Sequence, residues 1–140
     1  MIAALLALAG LLIALYLWLW KIGVLGVLAC GDGGCETVQL SPYADLFGIP
    51  VALYGVVGYL GMLAVALVGV QGPFVARRWP TTALAALAAV GVAFSLYLMY
   101  LEAAVIRAWC RWCLVSASIV TTIFAVTVAG WLAQRRAATR

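Results

Sequence analysis

The chain has 140 residues, is 69% hydrophobic and 9% charged, carries a formal charge of +4 and contains no histidine. Its mean hydropathy is +1.22. That balance excludes a water-soluble domain with an ordinary polar surface; the missing histidine excludes imidazole catalysis and ligation, and basic residues scattered at the ends of apolar runs exclude a phosphate-binding stripe for nucleic acid.

The first apolar run covers residues 2–20, with a continuation past Lys21 toward residue 29. Val27-Leu28-Ala29-Cys30 loosely matches a lipoprotein cleavage box. No basic region precedes the run, however, and Lys21 interrupts it, so it reads as a span. A loop follows, Cys30-Gly31-Asp32-Gly33-Gly34-Cys35, whose glycines suit a mobile, easily turned backbone. Ser41-Pro42 then reads as an N-cap with proline at the first helical position, and Gly48 as a terminator. This predicts a short helix over residues 42–47 that exposes Leu46 and Phe47 and lies at the membrane interface as a lid or an anchor.

Further apolar runs cover residues 49–70, 80–106 and 109–132. Each run holds roughly 19 residues or more, about 28 Å at helical rise, which is enough to cross a bilayer. Gly55, Gly58 and Gly61 form a small-residue stripe expected to admit a neighbouring helix. Glu102, near the end of the third run, is an ionisable group at costly depth. It reads equally as a ligand or proton-transfer group and as a solvated helix-end charge paired with Arg107.

Arg77, Arg78, Arg135, Arg136 and Arg140 mark one side of the bundle as cytoplasmic. The other side holds Lys21, Arg107, Arg111 and the acids Asp32, Glu36, Asp45 and Glu102. Both termini are then expected in the cytoplasm, and all four cysteines on the extracytoplasmic side of the inner membrane, where disulfides persist. The fold expected is an all-α membrane protein: a single domain over residues 1–140, with a four-transmembrane-helix bundle and a short outer-loop helix.

The chemistry is carried by Cys110-Arg111-Trp112-Cys113, a Cys-x-x-Cys pair at the start of the fourth span. Free N–H groups and the positive end of the helix dipole stabilise a thiolate there. The expected result is one activated, partly exposed sulfur and one deeper sulfur. Cys30 and Cys35 supply a second dithiol on the same side, open to attack by a partner thiol. The alternatives are a loop staple, a four-cysteine zinc site, and a small four-span transporter or scaffold with structural cysteines.

The two cysteine pairs, the segment from Ser41-Pro42-Tyr43 through Phe47-Gly48-Ile49-Pro50, Tyr100-Leu101-Glu102, and Cys110 through Ala117 together resemble the vitamin K epoxide reductase family in its short bacterial or archaeal form. The match runs over about residues 5–133. Quinone-linked oxidases of the DsbB type place their Cys-x-x-Cys early in the chain, unlike this one. The resemblance implies a helical bundle around a quinone (menaquinone, ubiquinone or vitamin K-like) covered by the first outer loop. It implies Cys110 and Cys113 as the catalytic pair, Cys113 nearest the quinone, and Cys30 and Cys35 as the shuttle pair. Ser41 and Glu102 match positions that line or cover the quinone pocket; Ala117 stands where animal enzymes carry a tyrosine, and Val51 to Leu53 are apolar where they present an asparagine. The implied partner is a thioredoxin-like or DsbA-like extracytoplasmic protein, and the implied activity is quinone-linked disulfide formation.

Overall fold

A computed structural model describes residues 1–31 and 33–140; Asp32, counted above with the outer-side acids, lies outside the described residues. Four long helices carry the architecture: α1 (Ile2–Lys21), α3 (Val51–Gly69), α4 (Trp79–Tyr100) and α5 (Arg111–Ala138). A π-helical turn, Leu101–Ile106, extends α4, and a short helix α2 (Gly34–Leu40) lies between α1 and α3. Each long helix is long and apolar enough to span a membrane. The protein is therefore a multi-pass, all-α membrane protein. In lipid only such helices satisfy every backbone polar group within their own segment.

The long helices form a ring in which α1 and α4 each pack against both α3 and α5. Leu5, Leu12, Val57, Leu60, Val90 and Leu96 point outward and are exposed. In water such faces would drive association; in a bilayer they meet acyl chains. Contact inside the ring depends on close approach. A Cβ added at Gly10 would fall on the Tyr59 ring, and one at Gly91 would lie 2.7 Å from Val120 Cγ2. Packing therefore uses glycines other than the expected stripe. Gly55 approaches Ala14, but an added Cβ at Gly58 or Gly61 would meet nothing within 4 Å. Hydroxyls on α5 are satisfied within the helix, Thr121 on the Ala117 carbonyl and Thr127 on the Ile123 carbonyl.

The structure corrects the reading of the first loop. Helix α1 stops at Lys21, followed by turns, and does not continue toward residue 29. The expected helix over residues 42–47 is absent. A 3-10 turn, Pro42–Ala44, leads into a two-residue hairpin, β1 (Asp45–Leu46) against β2 (Ile49–Pro50). Its loop residues, Phe47 and Gly48, both have positive φ, 54° and 78°. That backbone matches the right-handed twist of the strands, so the glycine turns the chain where the sequence suggested a helix end. Phe47 is 92% exposed at the tip, as expected, while Leu46 is half-buried.

The glycine-rich segment initiates a helix the sequence reading did not anticipate. Gly33 is the N-cap of α2 with φ 71°, a left-handed conformation costly for other residues. Gly34 sits so close to the Trp109 carbonyl that a Cβ would collide with it. These glycines thus serve a defined backbone path and let α2 pack against the segment before α5.

Candidate redox site

One end of the bundle gathers both cysteine pairs. The α1 C-terminus, α2, the α3 N-terminus and the α5 N-terminus meet there, and Cys30, Cys35 and Cys110 share a buried cluster with Leu17, Leu28, Val38 and Ala52. Cys30 and Cys35 form a disulfide with Cα atoms 5.9 Å apart. Both are buried, so the expected open loop disulfide is covered in this conformation. Cys110 and Cys113 are free thiols, Cys110 fully buried and Cys113 half-buried.

Cys110 is the N-cap of α5, and its sulfur accepts the Cys113 backbone N–H at 3.3 Å. The Cys110 thiol is held below the ordinary cysteine value. The largest cause is its side-chain hydrogen bond with Cys113. Burial opposes this, the N–H groups of Cys113 and Trp112 reinforce it, and the Glu102 carboxylate opposes it. The helix start thus favours a thiolate at Cys110.

Glu102 is 2% exposed and makes no contact of the kind expected with Arg107. Its Oε2 accepts the Cys110 backbone N–H at 3.0 Å, and Glu102 and Cys113 line the same cavity. The π-helical turn produces this placement. Its wider winding ends at Arg107, whose φ is 57°, and both Arg107 and Ala108 donate their N–H to the Glu102 carbonyl. The chain then reverses toward Cys110 within a few residues. Such π turns often mark functional positions.

A cavity of about 130 Å³ opens beneath, between α1, α3, α4 and α5. Apolar groups from Leu17, Ala52, Met62, Phe94, Ala117 and Val120 make most of its wall. Cys113 and Glu102 face it, as does Gln39 from α2. Deeper in, the Tyr59 hydroxyl bonds the Ser116 carbonyl at 2.7 Å and the Ser116 hydroxyl at 2.9 Å. A smaller adjoining space is lined by Ser41, Tyr43, Glu102 and Cys113. Among the sequence candidates, Cys113, Glu102 and Ala117 therefore border the main cavity, and Ser41 borders its neighbour. The Ser41 hydroxyl donates to the Val38 carbonyl at 2.7 Å, so it does not cap the following turn.

The loop is tied down by contacts the sequence reading did not anticipate. Trp112, inside the Cys-x-x-Cys, donates its indole N–H to the Ala29 carbonyl at 3.1 Å. Ala29 donates its N–H to the Tyr16 hydroxyl at 2.8 Å, and the Tyr16 and Trp112 rings meet edge to face at 5.5 Å. Lys21 donates to the Gln39 carbonyl at 2.6 Å and pairs with Asp45 at 3.3 Å. These contacts link positions 13 or more apart in sequence, so no local motif announces them.

The sequence profile of the Vitamin K epoxide reductase family matches residues 1–128. The chain belongs to this family. Membership makes it a membrane thiol–disulfide oxidoreductase of a family that uses quinones and thioredoxin-like redox partners. Both cysteine pairs lie at the bundle end described above.

Lys21 is the single side chain bonding both α2 and the hairpin to α1 among the described hydrogen bonds and ion pairs. Its charged bond to a carbonyl is worth about 1.5–3 kcal/mol. In the Lys21→Met variant the loop is expected to loosen, so that dithiothreitol reduces the Cys30–Cys35 bond roughly tenfold faster. Thiol trapping against time reads this directly, and an unchanged rate would remove Lys21 from the closure of the loop.

Proposed function

We propose that the protein oxidises the thiols of a thioredoxin-like or DsbA-like extracytoplasmic protein and delivers the electrons to a quinone within the bundle. The observation that carries this reading is the division of the Cys-x-x-Cys. Cys113 borders the cavity and also packs against the buried cluster that Cys110 shares with the Cys30–Cys35 disulfide, whereas Cys110 does not line the cavity. A relay with one sulfur toward each side needs that separation. The cavity suits a quinone ring in kind: its wall is apolar with a few polar groups.

The steps balance in atoms and electrons. A reduced partner attacks Cys30, and the resulting exchange leaves the partner oxidised with Cys30 and Cys35 as thiols. The Cys35 thiolate attacks Cys110 of an oxidised Cys110–Cys113 pair, giving a Cys35–Cys110 disulfide and a Cys113 thiolate. Cys30 then attacks Cys35, restoring the Cys30–Cys35 bond and releasing Cys110 as a thiolate stabilised at the helix start. This is the state seen in the structure, with the loop pair bonded and the motif pair free. Bound quinone supplies an acceptor for two electrons and two protons. Cys110 and Cys113 supply the electrons as their disulfide closes; the two protons are those the Cys35 and Cys30 thiols lose on attack, one of which Cys113 regains and hands to Glu102 before its sulfur reacts.

The quinone contacts on this reading include Glu102, with Ser41 and Ala117 at the edges of the ring site. The protein resides in the cytoplasmic membrane as one domain over residues 1–140, with both termini in the cytoplasm and the cysteines outside. The five arginines of the α3–α4 loop and the C-terminal end support that orientation.

The Cys30→Ala variant tests the relay. With a protein dithiol as donor, quinone reduction is expected to fall at least a hundredfold, on the order of losing an activated nucleophile. With a small dithiol that reaches Cys110 and Cys113 directly, the loss is expected to stay within several-fold. Quinone absorbance follows both reactions. Equal losses with the two donors would remove Cys30 from the entry step.

A further inference from the structure

We infer that Gln39 is a quinone-contacting residue, donating an N–H hydrogen bond to a ring carbonyl and holding that ring beside Cys113. The inference rests on the quinone reading above and specifies the contact within the same cavity.

Gln39 is 7% exposed, a rare state for a carboxamide unless it has partners. It lines both the main cavity and the smaller space beside it. A carboxamide offers two N–H donors and a carbonyl acceptor. Among the described residues its side chain makes one hydrogen bond, from Nε2 to Cys113 Sγ at 3.8 Å. Thioether and thiol sulfur accept weakly, so most of this bonding capacity is unspent at the cavity wall.

The alternatives for a ring carbonyl near Cys113 are few. The Tyr54 hydroxyl donates to the Leu46 carbonyl at 3.1 Å, and that of Tyr59 is engaged with Ser116. Ala117, Val51 and Ala52 offer no donor. Ser95 precedes Glu102 by a separation worth roughly 10 Å of helix. Glu102 accepts while it is a carboxylate and donates an O–H only after taking up a proton, so it offers no N–H. A quinone carbonyl beside Cys113 therefore finds its N–H donor at Gln39, displacing the weak bond to sulfur. After reduction the same carboxamide oxygen accepts the hydroquinone O–H, so one side chain serves substrate and product.

The backbone of Gln39 is also held. Its carbonyl accepts from Lys21 at 2.6 Å, which sets the carboxamide over the cavity mouth.

The test uses the full protein with both cysteine pairs oxidised, so that binding occurs without turnover. Menadione, a tailless naphthoquinone, and methylnaphthalene, a fused ring without carbonyls, are titrated by tryptophan fluorescence. In Gln39→Met, menadione is expected to bind roughly fivefold to tenfold more weakly, the worth of one neutral hydrogen bond. Methylnaphthalene is expected to bind as before, which also reports that the cavity is intact. In turnover, KM for the quinone rises by the same factor with kcat within about twofold. Unchanged menadione binding, or equal losses for both ligands, would overturn the inference. If the unsubstituted protein bound methylnaphthalene but not menadione, the quinone reading beneath it would fall too.

Discussion

Replacing Cys113 by alanine is expected to abolish quinone reduction with every thiol donor. Cys113 is the only cysteine bordering the main cavity among the described residues, and the disulfide that closes as electrons leave needs its sulfur. The substitution removes one atom from a half-buried side chain, so it should cost about 1 kcal/mol and leave the bundle assembled. Loss of turnover would then be chemical. Cys110 and the loop pair remain, so the variant should still complete one exchange with the partner and stop with Cys30 and Cys35 reduced, visible by thiol trapping. Full turnover by the variant would break the proposed electron path at its last step.

Glu102 is expected to have the second largest effect, and two substitutions separate its two duties. Glu102→Gln keeps the size and an oxygen to accept the Cys110 N–H, but cannot carry a proton from Cys113. Turnover is expected to fall about a hundredfold, the lower range for losing a positioned acid or base. Thermal stability should barely move. Glu102→Leu also leaves the Cys110 N–H buried and unpartnered, which costs about 1–3 kcal/mol. It should lower both activity and melting temperature. Near-normal activity in the glutamine variant would reduce Glu102 to a brace for the α5 start.

The two predictions draw on different sources. Cys113 was legible as a motif, because a Cys-x-x-Cys at the start of an apolar run has few other uses. From its own neighbours Glu102 was legible only as a position in question, although the family resemblance set it at the pocket. Its sequence neighbours fit a solvated end pairing with Arg107 as well as a buried group. The π-helical turn decided between these by rotating the carboxylate toward Cys110, and no residue pattern in Leu101–Ile106 announces that winding.

The loop shows the same limit. Glycines between Cys30 and Cys35 are compatible with mobility or with one defined path, since glycine permits both. The structure uses Gly33 and Gly34 for a helix start pressed against Trp109. Ser41-Pro42 and Gly48 are helix punctuation by local rules, yet the segment between them is short. Its pairing into a hairpin, with Tyr54 bonded to the Leu46 carbonyl, outweighs a helix of little more than one turn.

The sequence by itself determined the solvent, the number of spans, their antiparallel succession and the two thiol pairs available for chemistry. Lengths of apolar runs must match a bilayer, and thiol pairs declare their chemistry by residue type. Only the tertiary structure decided which sulfur borders the cavity, that Gln39 and Glu102 face it with Cys113, and that Trp112 and Lys21 tie the loop down. Those are contacts between residues far apart in the chain, set by which faces of the helices meet. A polar side chain in an apolar run has the same local signature whether it faces lipid, a neighbour or a cavity.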